Sequence, residues 1–426
     1  MAGERFETTV GEVCQIFDGP HATPKRLDSG PVFLGITSLK KGRIDLAASD
    51  HVSEEDFTKW TRRVTPTPGD VVFSYETKLG EAAIIPEGLR CCLGRRMGLM
   101  RPNPTKLDSR FLLFYYLGPE FQEAIRERTI HGSTVDRLAL IEFPQFPLRI
   151  PPLPEQKAIA AILGSLDDKI ELNRRMNATL EAMARALFQS WFVDFDPVRA
   201  KLDGRVPVGM DRETAAHFPG SFDETAAGHI PRRWRVGSIY EIANVIYGAP
   251  FASSLFNSEK RGKPLIRIRD LSNESPAVFT TEVHHKGYLL QPGDIAVGMD
   301  GEFRAYLWAG EESWLNQRVC VFAPKSGYSA AFVRNSIIAP LAQVEATETA
   351  TTVIHLGKND IDRFTVIIPD APVAKSFKQQ CQPWYDQIVA NKQQSRTLAT
   401  LRDTLLPKLL SGELSVAGFS AELVVL

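Results

Sequence analysis

The chain contains a long internal repeat, and this repeat limits the possible folds more than any other feature. From Gly132 to Leu187, equivalent residues in the two copies differ by 218 in number, without a gap. The aligned pairs are Val135 and Val353, Ile150 and Ile368, Pro154 and Pro372, Asn173 and Asn391, and Leu187 and Leu405. Upstream, the order of matches persists while the offset changes slowly, as expected from insertions in loops. The sequence therefore predicts two related structural units in one chain.

The first part of each copy has the composition of short strands, being rich in β-branched and aromatic residues and interrupted by Gly and Pro. Runs of this kind lie at 32–36, 69–73 and 293–297. A helical pattern follows at 109–128 in the first copy and near 330–343 in the second. We expect compact α+β domains at these parts of the chain.

The second part of each copy predicts one long helix. The first helix follows the prolines of the 151–154 segment and meets no further proline as far as Trp191. The second runs from Val373 to about Leu410, and Pro407 is expected to kink its last turn. A helix of this length extends about 57 Å.

These patterns divide the chain into six parts. The segment between the copies is rich in Gly and Pro and has little periodicity, which is typical of a connection. The predicted parts are a first domain at 1–150, a central helix at 151–193, a connecting segment at 194–235, a second domain at 236–369, a C-terminal helix at 370–414 and a tail at 415–426.

The two helices carry matched apolar stripes at coiled-coil spacing. The residues expected to pair them are Ile162, Leu166, Asn173, Leu180, Met183 and Leu187 in the first helix, and Trp384, Asn391, Leu398, Leu401 and Leu405 in the second. Asn173 and Asn391 share one a position, where a buried amide fixes register at some cost in stability. The alternative is two unrelated surface helices. We prefer pairing because both length and stripe match, although the stripe leaves the direction open.

Composition excludes several classes of protein. The 426 residues are 43% hydrophobic and 24% charged, which is globular composition, and no apolar run approaches the ~20 residues of a membrane span. The first residues are charged and lack the apolar stretch of a secretory signal. Five cysteines without a CxxC pair indicate a reducing cytoplasm, and argue against a zinc or disulfide framework. A net charge of −1 lacks the basic excess typical of nucleic-acid-binding proteins, which weakens that interpretation.

Motifs for catalysis are missing or incomplete. The chain has no phosphate-binding GxxxxGK[ST] loop, and Asn103-Pro104-Thr105 lacks the aromatic residue of an adenine methyltransferase pocket. Asp70, Glu76 and Lys78 resemble the acid–acid–lysine set of a metal-dependent nuclease, but the second copy has no lysine at the matched place. For the His284-His285 pair we expect diverging rings in a solvated loop. We therefore predict no catalytic residue and no metal or cofactor on this chain.

Four segments resemble the spacer regions of type I restriction-modification specificity subunits. They are 152–160 (PLPEQKAIA), 166–173 (LDDKIELN), 188–197 (FQSWFVDFDP) and 405–414 (LLPKLLSGEL). One departure is Val373-Ala374, where the first helix has Glu155-Gln156. The resemblance implies an α+β fold with two duplicated mixed α/β target recognition domains. It also implies that two long helices, paired as an antiparallel coiled coil with pseudo-twofold symmetry, separate these domains.

The same resemblance implies a function and partners. Each domain would read half of a split double-stranded DNA target, and the target would be asymmetric because the copies differ in sequence. The helix length would then set the unread spacer. Two methyltransferase (modification) subunits would use S-adenosylmethionine, and restriction/translocase subunits would use ATP and Mg²⁺. A self-contained adenine methyltransferase or nuclease, and a coiled-coil adaptor of two protein-binding domains, remain as alternatives.

Candidate DNA contacts follow from the chemistry of recognition. Arg suits guanine, Asn and Gln suit adenine, and Lys, Ser and Thr suit phosphates. The candidates in loops are Lys40, Lys41, Arg43, Arg95, Arg96, Ser133, Thr134 and Arg137 in the first copy, and Lys260, Arg261, Lys263, Arg267, Arg269, Gln317, Arg318, Thr351, Thr352 and His355 in the second. The alternative for each is an ordinary solvated side chain, and for Arg96 and Arg318 a structural ion pair.

Overall fold

The computed structural model describes residues 5–21, 23–225, 228–347 and 354–416. It forms two compact units. Unit 1 comprises Met1–Ile170 with Thr397–Leu426, and unit 2 comprises Glu171–Arg396. Most of the expected tail, residues 417–426, lies outside the described part of the chain.

The first half of the chain supplies the elements of unit 1. Its strands are β1 (Phe6–Thr9), β2 (Cys14–Asp18), β3 (Leu27–Leu34), β4 (Leu39–Lys40), β5 (Arg43–Ile44), β6 (Asp50–His51), β7 (Val71–Ser74), β8 (Ala82–Ile84), β9 (Cys91–Leu93), β10 (Met97–Pro102), β11 (Thr129–Ile130), β12 (Arg137–Leu138) and β13 (Pro147–Ile150). The helices are α1 (Val10–Val13), α2 (Glu54–Trp60), α3 (Ser109–Leu117), α4 (Pro119–Glu127) and the first part of α5 (Leu153–Phe192).

The elements of unit 2 follow a similar order. Its strands are β14 (Phe222–Thr225), β15 (Gly228–Pro231), β16 (Arg235–Ser238), β17 (Ala243–Tyr247), β18 (Phe256–Asn257), β19 (Lys263–Ile266), β20 (Phe279–Thr280), β21 (Leu289–Leu290), β22 (Ile295–Gly298), β23 (Ala305–Leu307), β24 (Ser313–Leu315), β25 (Val319–Pro324) and β26 (Thr365–Ile368). The helices are α6 (Asp196–Leu202), α7 (Arg212–His217), α8 (Ala330–Thr347), α9 (Lys358–Ile361) and α10 (Ala371–Ser411), whose last part belongs to unit 1.

A four-stranded antiparallel sheet in the order β2-β10-β7-β8 forms the centre of unit 1. Strand β1 pairs with β13 and thereby joins the two ends of the domain. A smaller sheet, β6-β3-β9, contains a parallel pair in which Val32 lies opposite Cys91. The core beneath the central sheet is aromatic, and Phe73 stacks on Phe143 with ring centroids 4.5 Å apart.

Unit 2 repeats this plan. Its central sheet has the order β17-β25-β22-β23, and β16 pairs with β26 at the ends of the domain. The second sheet, β18-β20-β19-β24-β21, again contains a parallel pair, with Leu265 opposite Trp314. Two duplicated α+β domains, as expected from the repeat, are confirmed.

Within unit 2, α5 and α10 pair through a buried amide cluster. The side-chain amide of Asn173 donates to the Asn391 carbonyl at 3.3 Å, and that of Asn391 donates to Asn177 Oδ1 at 2.8 Å. Further along, the ring of Phe192 lies 5.1 Å from that of Phe377. From the first of these contacts to the second, the residue numbers rise along α5 and fall along α10. The helices are therefore antiparallel, as the resemblance implied.

Within unit 1 the two helices also run in opposite directions. Arg402 of α10 donates to Asp167 Oδ1 at 2.6 Å. Leu409, farther along α10, shares the unit 1 core with Ile159, which precedes Asp167 on α5. The order of contacts is thus the same as in unit 2.

The predicted seam needs correction in detail. Met183 and Leu401 are 44% and 45% exposed, whereas the neighbouring Ala184 is buried. The predicted residues that pack against the two cores, fully or partly buried, are Ile162, Leu180, Leu187, Trp384 and Leu405. Leu166 and Leu398 are partly exposed. A straight helix with 3.6 residues per turn drifts from a strict heptad, and each helix here packs on a domain core as well as on its partner.

The segment at 194–235 is more than a connection. It folds into α6, α7 and the β14–β15 hairpin, and Phe218 and Trp234 are buried in the core of unit 2. These elements are too short to show periodicity, which is why the sequence predicted only a linker. Helix α10 continues through Pro407 and ends at Ser411.

All five cysteines are free and buried. Burial raises the pKa of each thiol to about 12, which keeps it protonated and unreactive. Cys91 and Cys92 form the buried strand pair that the sequence predicted. None of the helices in the described ranges combines the length and the apolar composition that a membrane span requires.

Candidate DNA interface

A two-residue turn joins the two sheets of each unit, and we call it the corner turn. In unit 1 it is Arg95-Arg96, between β9 and β10. Two backbone hydrogen bonds hold its flanks, from Gly94 N to the Leu34 carbonyl at 2.8 Å and from Gly19 N to the Met97 carbonyl at 2.9 Å. The position of the turn relative to both sheets is therefore fixed.

The corner turn of unit 2 is Gln317-Arg318, between β24 and β25. Its flanks are held by the equivalent bonds, from Asn316 N to the Ile266 carbonyl at 3.1 Å and from Gly248 N to the Val319 carbonyl at 3.0 Å. Both turns thus have the same backbone frame.

In unit 1 a neighbouring loop is tied to the corner turn through Tyr75. Tyr75 N donates to the Arg96 carbonyl at 3.3 Å, and Leu138 N donates to the Tyr75 carbonyl at 2.8 Å. The backbones of Glu76 and Arg137 form an isolated antiparallel bridge beside them. The candidates Arg95, Arg96 and Arg137 therefore lie in one part of the surface.

Unit 2 repeats these contacts through Met299. Met299 N donates to the Arg318 carbonyl at 2.9 Å, and Leu356 N donates to the Met299 carbonyl at 2.8 Å. Asp300 and His355 form the isolated bridge. The candidates Gln317, Arg318 and His355 are thus brought together, whereas Thr351 and Thr352 lie outside the described residues.

One arginine of each corner turn is held by a carboxylate. Arg96 Nε lies 2.7 Å from Glu76 Oε2, and Arg318 Nη1 lies 3.6 Å from Asp300 Oδ1. His355 Nδ1 is 2.7 Å from the same Asp300 oxygen. The ion-pair alternative considered for Arg96 and Arg318 is what the structure contains.

Other candidates at these loops remain exposed. Arg95, Ser133, Thr134, Arg137 and Gln317 are exposed, and their side chains form no recorded hydrogen bond or ion pair with another described residue. These are the side chains available to a ligand.

The hairpin of β4 and β5 carries two exposed lysines and one arginine that contacts α5. Lys40 and Lys41 are exposed. Arg43 instead donates to the Asp167 carbonyl of α5 at 3.0 Å. Arg43 therefore anchors the hairpin to the helix within unit 1.

Acidic neighbours largely neutralise the basic candidates near Lys260. Arg261 pairs with Glu259 at 2.8 Å, and Lys263 pairs with Glu312. Arg267 pairs with the buried Asp270 at 3.2 Å. The two exposed cations of this group that have no recorded partner within the described chain are Lys260 and Arg269.

The nuclease-like residues do not converge. Asp70 is buried and accepts from Arg101 at 2.7 Å, Glu76 faces Arg96, and Lys78 Nζ donates to a backbone carbonyl at 3.2 Å. Across the described ranges, no group of three His, Cys, Asp or Glu residues could hold a metal ion. The rings of His284 and His285 are stacked at 4.9 Å, so the expectation that they diverge was wrong.

Sequence reasoning missed Gly19 and Gly248, which support the corner turns. A Cβ on Gly19 would lie 2.5 Å from the Gly94 carbonyl oxygen, and one on Gly248 would lie 2.0 Å from that of Asn316. Only glycine permits this approach. Aligning the two copies with a shifted offset would have placed these glycines together.

Alanine at Gly248 is expected to destabilise unit 2 by about 1–3 kcal/mol, because the added methyl group must displace the backbone of the corner turn. Urea unfolding of the purified chain measures this. Gly220→Ala is the matched control, since its Cβ would meet only the Lys201 Cβ, at 3.9 Å. Equal midpoints for the two variants would contradict the supporting role of Gly248.

Comparison with known proteins connects this geometry to a family. The family model described as "Type I restriction modification DNA specificity domain" matches residues 7–182 and 231–382. The chain is 26% identical to the type I restriction enzyme HindI specificity subunit of Haemophilus influenzae, over 74% of this chain and 80% of that protein. It is 24% identical to the type I restriction enzyme MjaIX specificity subunit of Methanocaldococcus jannaschii, over 86% and 82%.

A solved structure has the same fold. The S subunit of a type I restriction-modification system from M. genitalium superposes with a TM-score of 0.56 at 14% identity, covering 96% of this chain and 99% of that one. The two matched regions each contain one corner turn and part of one long helix. The chain therefore belongs to the family of type I restriction-modification DNA specificity domains, and carries two copies of the domain.

Proposed function

We propose that this chain is the sequence-recognition subunit of a type I restriction-modification complex, in which each unit reads one half of a split DNA target. The observation that carries the proposal is the corner turn, built twice on one backbone frame with different exposed side chains. Arg95 stands where unit 2 has Gln317, and Arg137 where it has His355. Because the two corner turns share one backbone geometry but expose different side chains, they suit two half-sites of different sequence. The complete target would then be asymmetric.

The chain would act with partners that supply the chemistry. We propose two methyltransferase subunits that use S-adenosylmethionine to methylate adenine, and restriction/translocase subunits that use ATP and Mg²⁺. This chain would contribute no catalytic group, metal or cofactor. Its net charge of −1 supports a division of labour in which partner subunits complete the positive surface around DNA.

Methylome sequencing of the host tests this function. We expect one split, asymmetric motif with adenine methylated in each half, and deletion of the gene for this chain should erase the mark. Persistence of the mark after deletion would refute the proposal. Methyl transfer or cleavage by the purified chain alone would favour the enzyme alternative. A reconstituted complex without salt-dependent, site-preferring DNA binding would favour the adaptor alternative.

A further inference from the structure

The two residues of each corner turn differ in their freedom. The second residue is paired with a carboxylate, Arg96 with Glu76 at 2.7 Å and the more exposed Arg318 with Asp300 at 3.6 Å. The first residue, Arg95 or Gln317, is exposed, and its side chain forms no hydrogen bond or ion pair with another described residue. At each corner turn, one long polar side chain is therefore unpaired and attached to a backbone that is held on both sides.

A side chain on a rigid backbone is better suited to contact a single base than to bind phosphates non-specifically. The turn is bonded to both sheets of its unit, and the ion pair beside it orients the adjacent side chain. A reading side chain must reach one base edge with little error, and such precision comes from rigid elements. Exposed lysines on a hairpin tip, such as Lys40 and Lys41, suit phosphates better.

The identity of the free residue then selects the base. Arginine donates two hydrogen bonds to O6 and N7 of guanine, whereas a glutamine amide donates to N7 and accepts from N6 of adenine. We infer that the base read by the first residue of the corner turn is guanine in the half-site of unit 1 and adenine in the half-site of unit 2. This inference rests on the proposed function.

Reciprocal exchange in the assembled complex tests it. Arg95→Gln should change one guanine of one half-site towards adenine, and Gln317→Arg should change one adenine of the other half-site towards guanine. The other half-site should stay the same in each variant. The readout is the methylated motif of cells carrying each variant, together with binding to duplexes that differ at one position.

Alanine variants measure the size of the contact. Arg95→Ala should lower discrimination at one base pair by about 10- to 100-fold, the range of a bidentate contact, without changing preference elsewhere. Arg62→Ala removes the same side chain from an exposed position in unit 1 that is not a candidate DNA contact, and should leave the motif unchanged. Because Arg95 is exposed, both variants should assemble with the partner subunits as the wild type does.

The outcomes separate this inference from the proposed function. A wild-type motif that is not split would refute the function itself. A split wild-type motif that both exchanges leave unchanged would overturn the base assignment alone. An equal loss of affinity for all duplexes in Arg95→Ala would also overturn it, because that is the behaviour of a phosphate contact.

Discussion

Phe192→Ala is expected to destabilise unit 2 by about 3–5 kcal/mol, because it removes a ring from the centre of an aromatic core. Phe192 is 2% exposed. Its ring centroid lies 4.9 Å from that of Phe332 on α8, 5.1 Å from that of Phe377 on α10 and 5.7 Å from that of Trp234. One side chain thus joins both long helices to the domain core. Neighbouring side chains cannot fill the space without moving a helix.

The measurement is the urea midpoint of the unit 2 transition in the full chain. Val193→Ala is the matched control, since Val193 is the next residue and is 48% exposed. We expect the control to change the free energy of unfolding by less than about 0.5 kcal/mol. Similar midpoints for Phe192→Ala and wild type would show that Phe192 does not connect the helices to the core.

The repeat made much of the fold predictable. The constant separation of the copies aligned Asn173 with Asn391, and in the structure these residues lie together in the buried cluster between the helices. The two copies also share a Pro-Gly-Asp segment, at 68–70 and 292–294, and both segments form turns, with Gly69 and Gly293 at φ 91° and 99°. These features depend on residue types that are close in sequence and that recur in both copies. They could therefore be predicted from the sequence alone.

The buried faces of the helices were less predictable. In α10, Cys381, Tyr385 and Ile388 are buried, and they lie beside the a and d positions of the predicted seam. A heptad pattern describes packing of one helix on another, whereas this helix also packs on the core of unit 2. The position of the domain decides whether a given helix turn packs on the other helix or on the domain core. The apolar stripe in the sequence does not contain this position.

At the candidate interface, too, the sequence does not determine which side chains are free. Arg95 and Arg96 are adjacent and chemically identical, so the sequence offers no reason to separate them. Only the fold places Glu76 beside Arg96 and leaves Arg95 exposed. The pairing of Arg43 with Asp167 is equally invisible, because it joins a hairpin to a helix far along the chain. Sequence identified the loops, and tertiary contacts decided which of their side chains are free.

Asp70 and Asp294 occupy equivalent turns but should respond oppositely to replacement by asparagine. Asp70 accepts from Arg101 Nη2 at 2.7 Å and Nε at 2.8 Å, and from Thr67 N at 2.8 Å. Asp70→Asn removes the negative charge while leaving the guanidinium in place. We expect a loss of about 2 kcal/mol, less than for a fully buried pair because Arg101 is one third exposed.

Within the described part of the chain Asp294 forms no ion pair with an arginine, and instead accepts from Tyr288 Oη at 2.9 Å and Gln291 N at 2.8 Å. Burial raises the pKa of Asp294 above its ordinary value of 3.8. Compared with the unfolded chain, the folded state therefore favours the protonated form of Asp294. The resulting stability is fully present below pH 3.8 and is lost as the pH rises through the raised pKa. At neutral pH the partly buried charge has a cost, which an amide avoids while its oxygen still accepts both hydrogen bonds.

Asp294→Asn should consequently unfold at the same or a higher urea concentration than wild type at pH 7, and its advantage should disappear on acidification below about pH 4. Asp70→Asn should be less stable than wild type at pH 7, because its partner Arg101 stays charged. Urea unfolding of both variants at several pH values makes the comparison. Equal destabilisation at pH 7 would mean that the shared backbone turn, and not the charge environment of each carboxylate, determines the role of these residues.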